Sequence, residues 1–347
     1  MFPFHKHTIL LFFLILPPQT PARPPPNPGP NPITVPTIQN HNHTWYDFDK
    51  FLDSRRVSHV SGISDIKKYF HRFGYLPMEY PNFTNTFDTR FRQAITRYQA
   101  QMGLPVSGNL DTETLSQIMA PRCGVTDASP FLQHYAYFIG RPRWTRNILT
   151  YAFSPEYTIT SLNSSAIKGA FERAFSHWSS VIPVKFTLTD DYTFADIRIG
   201  FYNGDHGDGE PFDGVLGVLA HSFSPEIGRL HLDAAETWAV DFELEKSDVA
   251  VDLESVAIHE IGHVMGLKHS SVREAVMYPS LKPRERKLDL KVDDVKGIQA
   301  LYGSNPNFKF SSSNMESYVS SNQAVDLSYG SQMWITLVMV LVWFSCM

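Results

Sequence analysis

His259-Glu-Ile-Gly-His263-Val-Met-Gly266-Leu-Lys-His269 is the stretch on which the reading of this chain turns. Residues four apart on a helix project from one face one turn apart, so His259 and His263 can grip a single metal ion with Glu260 beside them. Gly266 tolerates positive φ where such a helix must stop, which lets the chain turn back and bring His269 in as a third nitrogen ligand. Three neutral imidazoles leave the fourth tetrahedral position of a zinc ion for water, the mark of a catalytic rather than a closed structural site. The short His-Glu-x-x-His core alone is modest evidence in a chain with 14 histidines, and a surface helix with stray histidines competes with it. The longer form is far more specific.

That longer form resembles the signature of the metzincin metalloproteases, which implies a methionine turn downstream. Ala275-Val-Met277-Tyr278-Pro279 follows at a short distance. A lone Met is ordinary core filler, but Met277 stands where the motif asks for one.

With 347 residues, 43% hydrophobic and 13% aromatic, the chain has apolar material for two compact domains. A formal net charge of -5 and no Lys/Arg cluster argue against nucleic acid as a partner. Only two cysteines occur, Cys123 and Cys346 at opposite ends of the functional chain, so a disulfide framework is not what stabilises it. At the N-terminus, Ile9 to Leu16 is too short to span a bilayer but suits a signal-peptide core, with cleavage near Ala22. A Pro-rich leader (23–44) follows and cannot join a sheet.

From Trp45 to Met119 the apolar periodicity is helical, with helices expected over Ile63–Phe73, Asp88–Gln101 and Asp111–Met119. The region looks like the peptidoglycan-binding-like helical fold of metalloprotease propeptides. Pro121-Arg-Cys123-Gly-Val-Thr-Asp127 comes next. A lone Cys is usually a small buried residue, yet a thiolate can fill the open position of a zinc ion. The segment resembles the cysteine switch of matrix metalloproteinases, which implies that Cys123 binds the zinc in an inhibited form and that Arg122 and Asp127 pair to pin the loop. Thr126 stands where that family usually has Pro.

A second domain is expected from about residue 135, with strands over Trp144–Phe153, Val184–Leu188 and Ala195–Phe201 and a helix over Ser161–Val181. Alternating strand and helix imply a mixed sheet backed by helices. The resemblance implies an α+β catalytic domain (135–304) with a twisted mixed five-stranded sheet and three helices, after a small all-α propeptide (45–134). It further implies a structural zinc at His206, Asp208, His221 and His231, a ligand set that closes a tetrahedron. A calcium is implied at Asp213, Asp233 and Glu236 with the carbonyls of Gly214, Leu216 and Val218, hard oxygen donors that suit it. The loop preceding His231 is the short Glu226-Ile-Gly228-Arg-Leu230, which leaves Asp196 without obvious partners, and no further ion is assigned there. Asp293 and Asp294 are first-turn acids of a last helix over Val292–Tyr302. By resemblance they also prop the methionine turn and receive the ammonium freed by activation.

After a Ser-rich spacer (305–322), residues 323–347 end in an apolar run too short to span and read as a GPI-attachment signal, with Asn322 the candidate site. No hemopexin-like repeat is seen, as in plant members of the family. Sequons occur at Asn42, Asn82 and Asn163.

The resemblance therefore implies a secreted, GPI-anchored zinc endopeptidase of the outer plasma-membrane face, made latent. Its partners would be an activating protease, cutting between about Thr126 and Tyr137, and extracellular protein or peptide substrates. Glu260 would act as general base, while Ser255, Tyr278 and Pro279 would shape the specificity pocket, the small Ser255 leaving it deep. A zinc hydrolase acting on another bond and a binding protein with a vestigial site remain alternatives.

Overall fold

The computed structural model describes residues 62–76, 83–127 and 135–310. The expected signal peptide, leader, Asn42, Asn82, most of the activation segment, Asn322 and the C-terminal tail lie outside them. Among the described residues no helix is long and apolar enough to cross a membrane.

Three helices open the described chain: α1 (Ile63–Arg72), α2 (Thr89–Gln101) and α3 (Thr112–Met119). Asp88 and Asp111 start α2 and α3 by accepting the Phe91 and Thr114 amides at 2.8 and 2.9 Å, because a carboxylate satisfies donors that the first turn leaves unpaired. Their shared core is aromatic, with Tyr69, Phe70, Phe73, Phe91 and Tyr98 all buried. Edge-to-face pairs such as Phe70 with Tyr98 suit the ring quadrupoles.

Two short strands follow, β1 (Arg122–Cys123) and β2 (Ala136–Tyr137), then β3 (Ile148–Phe153), α4 (Ser164–Val181), β4 (Lys185–Leu188), β5 (Ile197–Tyr202), β6 (Val218–Ser222) and β7 (Arg229–Asp233). The chain continues through β8 (Trp238–Ala239), β9 (Val251–Asp252), α5 (Leu253–Val264), β10 (Leu267–Lys268) and α6 (Val292–Tyr302). The main sheet runs β1-β6-β7-β5-β3-β4, with β6 antiparallel to β7 and the other neighbours parallel. Five of its strands lie beyond residue 135 as expected; the sixth, β1, follows the three helices and is laid on the edge strand β6. Residues two apart on a strand share a face, and β5 turns Ile197, Ile199 and Phe201 into the core while Arg198 and Tyr202 on the other face are only partly buried.

Helix α4 lies against α5, where Trp178 is fully buried and donates its indole N–H to the Ile258 carbonyl at 2.8 Å. The expected strand from Trp144 begins only at Ile148. Trp144 is instead a plug whose Nε1 donates to Val264 O at 2.9 Å, closing a carbonyl at the end of α5. Helix α5 stops at Val264, because Gly266 takes φ 103° and the chain reverses there. A Cβ at that glycine would stand 2.3 Å from the Pro142 carbonyl oxygen.

Candidate active site

Every residue of α5 is buried, so its histidines face protein. Asp252 caps the helix by accepting the Ser255 amide at 2.9 Å. His259 and His263 project from one face, and the Gly266 reversal carries His269 to them. The Nε2 atom of His263 lies 3.1 Å from Nε2 of both His259 and His269. The outer ring nitrogens decide the tautomers. Nδ1 of His259 meets Val276 O at 2.7 Å and Nδ1 of His263 meets Leu267 O at 2.8 Å, and a carbonyl can only accept. Nδ1 of His269 meets Asp127 Oδ1 at 2.6 Å. With the proton on each Nδ1, three Nε2 lone pairs point at one another, an arrangement that repels unless a cation sits among them. Burial also holds His259 and His263 well below the ordinary imidazole range, as neutral ligands require.

Cys123 joins this group, its Sγ 3.4 Å from His263 Nε2 and within hydrogen-bond reach of the Val125 amide. The four side chains could hold one metal ion, their donor atoms all lying within 4.8 Å of one another. The donor chemistry, three imidazoles and a thiol, fits zinc. Glu260 is fully buried beside them; burial pushes its carboxyl up to about 7, opposed by hydrogen bonds from Cys123 and Ser222. Its Oε2 accepts from Ser222 Oγ at 2.7 Å, and its Oε1 is buried without a hydrogen-bond partner. Ser222 lies on the edge strand, 38 residues before Glu260, and no motif marks it.

Met277 packs against α5 because residue 262, between His259 and His263, is glycine: a Cβ there would stand 2.2 Å from Met277 Sδ. The turn is hung on Asp294, a fully buried carboxylate that accepts the Val276, Met277 and Lys291 amides at 2.9, 3.0 and 2.8 Å. Asp293 accepts from Ser270 Oγ at 2.7 Å. Burial raises Asp293 to about 7, with Asp294 adding to the rise.

A pocket opens beside this group, lined by Ser255, Val256, Val276, Tyr278, Pro279 and Leu281, with Lys287 also at its wall. Ser255 is a wall residue whose hydroxyl is already engaged within the protein. Its hydroxyl donates to Asp252 Oδ2 at 2.7 Å and accepts the Lys287 amide at 2.8 Å.

The described chain up to Asp127 covers the arrangement. Residues 121–124 run between β6 and the 279–281 segment, with the Arg122 amide on Gly217 O at 2.7 Å, Gly124 on Ala220 O at 2.7 Å and Cys123 on Pro279 O at 2.9 Å. The Tyr278 hydroxyl meets Met102 O and Gln117 Oε1, and Gln117 Nε2 donates to Ser280 Oγ. Arg122 and Asp127 pair at 2.7 Å with side chains 2% and 0% exposed.

A second group also converges. Asp208 Oδ2 lies 2.9 Å from His206 Nε2, 2.8 Å from His221 Nε2 and 2.9 Å from His231 Nδ1. Three imidazole nitrogens on one carboxylate oxygen could hold a closed zinc. Nearby, Asp213 accepts the Val218 amide, and Asp233 accepts the Gly214 and Ala235 amides. Both Glu236 oxygens are buried without a partner. Burial, helped by the neighbouring carboxylates, lifts Asp233 to about 6 and Glu236 to about 8. Such a cluster, with Leu216 in the loop it encloses, suits a hard cation.

Asp196, read as lacking obvious partners, has three: Oδ2 accepts from the Thr150 amide and hydroxyl, and Oδ1 pairs with Arg146. A guanidinium from the chain occupies that carboxylate. Asn163 is exposed, and its Oδ1 caps α4 on the Ala166 amide at 2.7 Å.

Comparison with known proteins agrees with this arrangement. The matrixin family matches residues 143–303, and a peptidoglycan binding domain family matches residues 59–118. Metalloendoproteinase 1-MMP of Arabidopsis thaliana is 55% identical over 79% of this chain and 78% of its own length. Metalloendoproteinase 4-MMP of the same plant is 56% identical over 78% and 79%. Human neutrophil collagenase is 39% identical over 70% of this chain and 50% of its own. With the zinc-type histidine cluster in place, the chain belongs to the matrixin family of metalloendoproteinases, zinc endopeptidases that act on proteins and use a catalytic zinc and calcium.

Proposed function

We propose that this chain is the latent form of a secreted endopeptidase, tethered to the outer cell surface through a C-terminal lipid, that cleaves extracellular proteins after its propeptide is cut away. The observation that carries the latency is the course of residues 121–124, which lie on the edge strand β6 and bring Cys123 Sγ to the three histidines. An extended substrate needs that same edge, because strand addition satisfies its backbone groups. Propeptide and substrate therefore exclude one another.

His259, His263 and His269 would hold a zinc ion, which would supply polarisation of the scissile carbonyl and acidification of a water. The protein's own steps follow from the buried pair Glu260 and Ser222. Glu260 takes the water proton on Oε1 while Ser222 holds Oε2, and the carboxyl then hands the proton to the departing amine. A carboxyl raised toward neutrality by burial can do both. The substrate side chain enters the apolar pocket walled by Tyr278 and Pro279 with Ser255 at its side. Replacing Cys123 by Ser in the uncut chain should release hydrolysis of a fluorogenic peptide. Latency equal to the parent would sink the assignment.

A further inference from the structure

Two of the three histidine N–H groups are oriented by backbone carbonyls of the catalytic domain itself. Val276 O serves His259 and Leu267 O serves His263. His269 differs. Its Nδ1 partner is the carboxylate of Asp127, which lies 142 residues away on the propeptide, at 2.6 Å, with both side chains 0% exposed.

We propose that Asp127 is a positioning residue for the zinc ligand His269, so that the propeptide grips the metal centre through a ligand's outer nitrogen as well as through the Cys123 sulfur. The inference rests on the zinc reading above. Asp127 is built for the task. Arg122 NH2 donates to the same Oδ1 at 2.7 Å and the Tyr75 hydroxyl donates to Oδ2 at 2.8 Å, so both oxygens are anchored and Oδ1 is aimed. Arg122 is held in turn by the Tyr69 hydroxyl at 2.9 Å and by the Phe73 ring at 3.6 Å. An acceptor behind a ligating imidazole fixes its tautomer and makes the inner nitrogen a better donor, and losing such a partner weakens metal binding about 10- to 100-fold. The Arg122–Asp127 pair thus does more than stiffen the loop. Excision of the propeptide removes the sulfur and the carboxylate together, and the mature enzyme holds zinc through a less supported third histidine.

The test uses the full-length chain carrying Glu260→Gln to prevent self-cleavage, with and without Asp127→Asn. Competition against a chromogenic chelator reads zinc affinity, and the sulfur-to-metal charge-transfer band of the cobalt-loaded protein reports whether Cys123 still ligates. With that band intact, a 10- to 100-fold loss of zinc affinity is expected. An unchanged affinity with the band intact overturns the inference. If the band disappears because the loop has let go, imidazole N–H resonances of the zinc-loaded Glu260→Gln parent decide. The His269 proton should stand apart from those of His259 and His263 and move when the propeptide is cleaved; three similar resonances indifferent to cleavage overturn the inference. A parent chain that binds no zinc at all would instead overturn the function on which it rests.

Discussion

Replacing Arg122 by Met tests how the propeptide is held on the site. The side chain is 2% exposed and makes four contacts: Asp127, Tyr69, the Cys123 carbonyl and the Phe73 ring. Met keeps much of the volume against Phe73 but removes the charge, leaving the Asp127 carboxylate buried without its cation. Breaking a buried pair in this way costs about 3–5 kcal/mol. Tyr75 and His269 still bond Asp127, which favours the lower figure, and about 3 kcal/mol corresponds to a population of undocked loop raised about a hundredfold. Cys123 is the one cysteine among the described residues, and it is buried. Labelling with a chromogenic disulfide in full-length protein lacking Cys346 therefore reports the undocked fraction. The expected result is a labelling rate up by about two orders of magnitude with peptide hydrolysis rising alongside. A rate within threefold of the parent would show that Arg122 does not hold the loop.

Two further changes probe the support beneath the histidines. Gly262→Ala places a methyl 2.2 Å from Met277 Sδ and 3.0 Å from Trp178, and overpacking of this kind costs about 1–3 kcal/mol; thermal unfolding should show the loss, and an unchanged midpoint would contradict the packing. Asp293, raised to about 7 by burial, binds a proton in the folded chain that it releases when unfolded above its ordinary value. Its contribution is therefore full at low pH and falls as pH rises through about 4 to 7. Asp293→Asn should stabilise the uncut chain at pH 8 and leave it little changed at pH 4, and equal effects at both would refute the assignment.

Local chemistry was legible in the sequence. Ligand spacing on a helix is a property of adjacent turns, so His259 and His263 could be read directly, and the glycine that turns the chain back lies three residues before His269. Apolar periodicity placed α1, α2 and α3 for the same reason. What escaped was contact across the fold. Ser222 meets Glu260 only because an edge strand passes over α5, and Gln117 meets Tyr278 and Ser280 because the helical propeptide docks beside the pocket. Asp127 was read as a partner of Arg122 alone, because its bond to His269 closes only when the third ligand is folded back. The sixth strand of the main sheet escaped for a similar reason, since β1 has no pattern of its own and becomes a strand by lying on β6. Asp196 shows the converse, where an expected shortage of partners was met by Arg146 and Thr150.

The central claim is that zinc is held by three histidines while Glu260 performs the proton transfers. Elemental analysis and peptide hydrolysis on the processed enzyme carrying Glu260→Gln test it together. The account predicts one catalytic zinc retained alongside the structural one and turnover reduced by roughly 10²- to 10⁴-fold. Hydrolysis within tenfold of the parent, with zinc still bound, would contradict it.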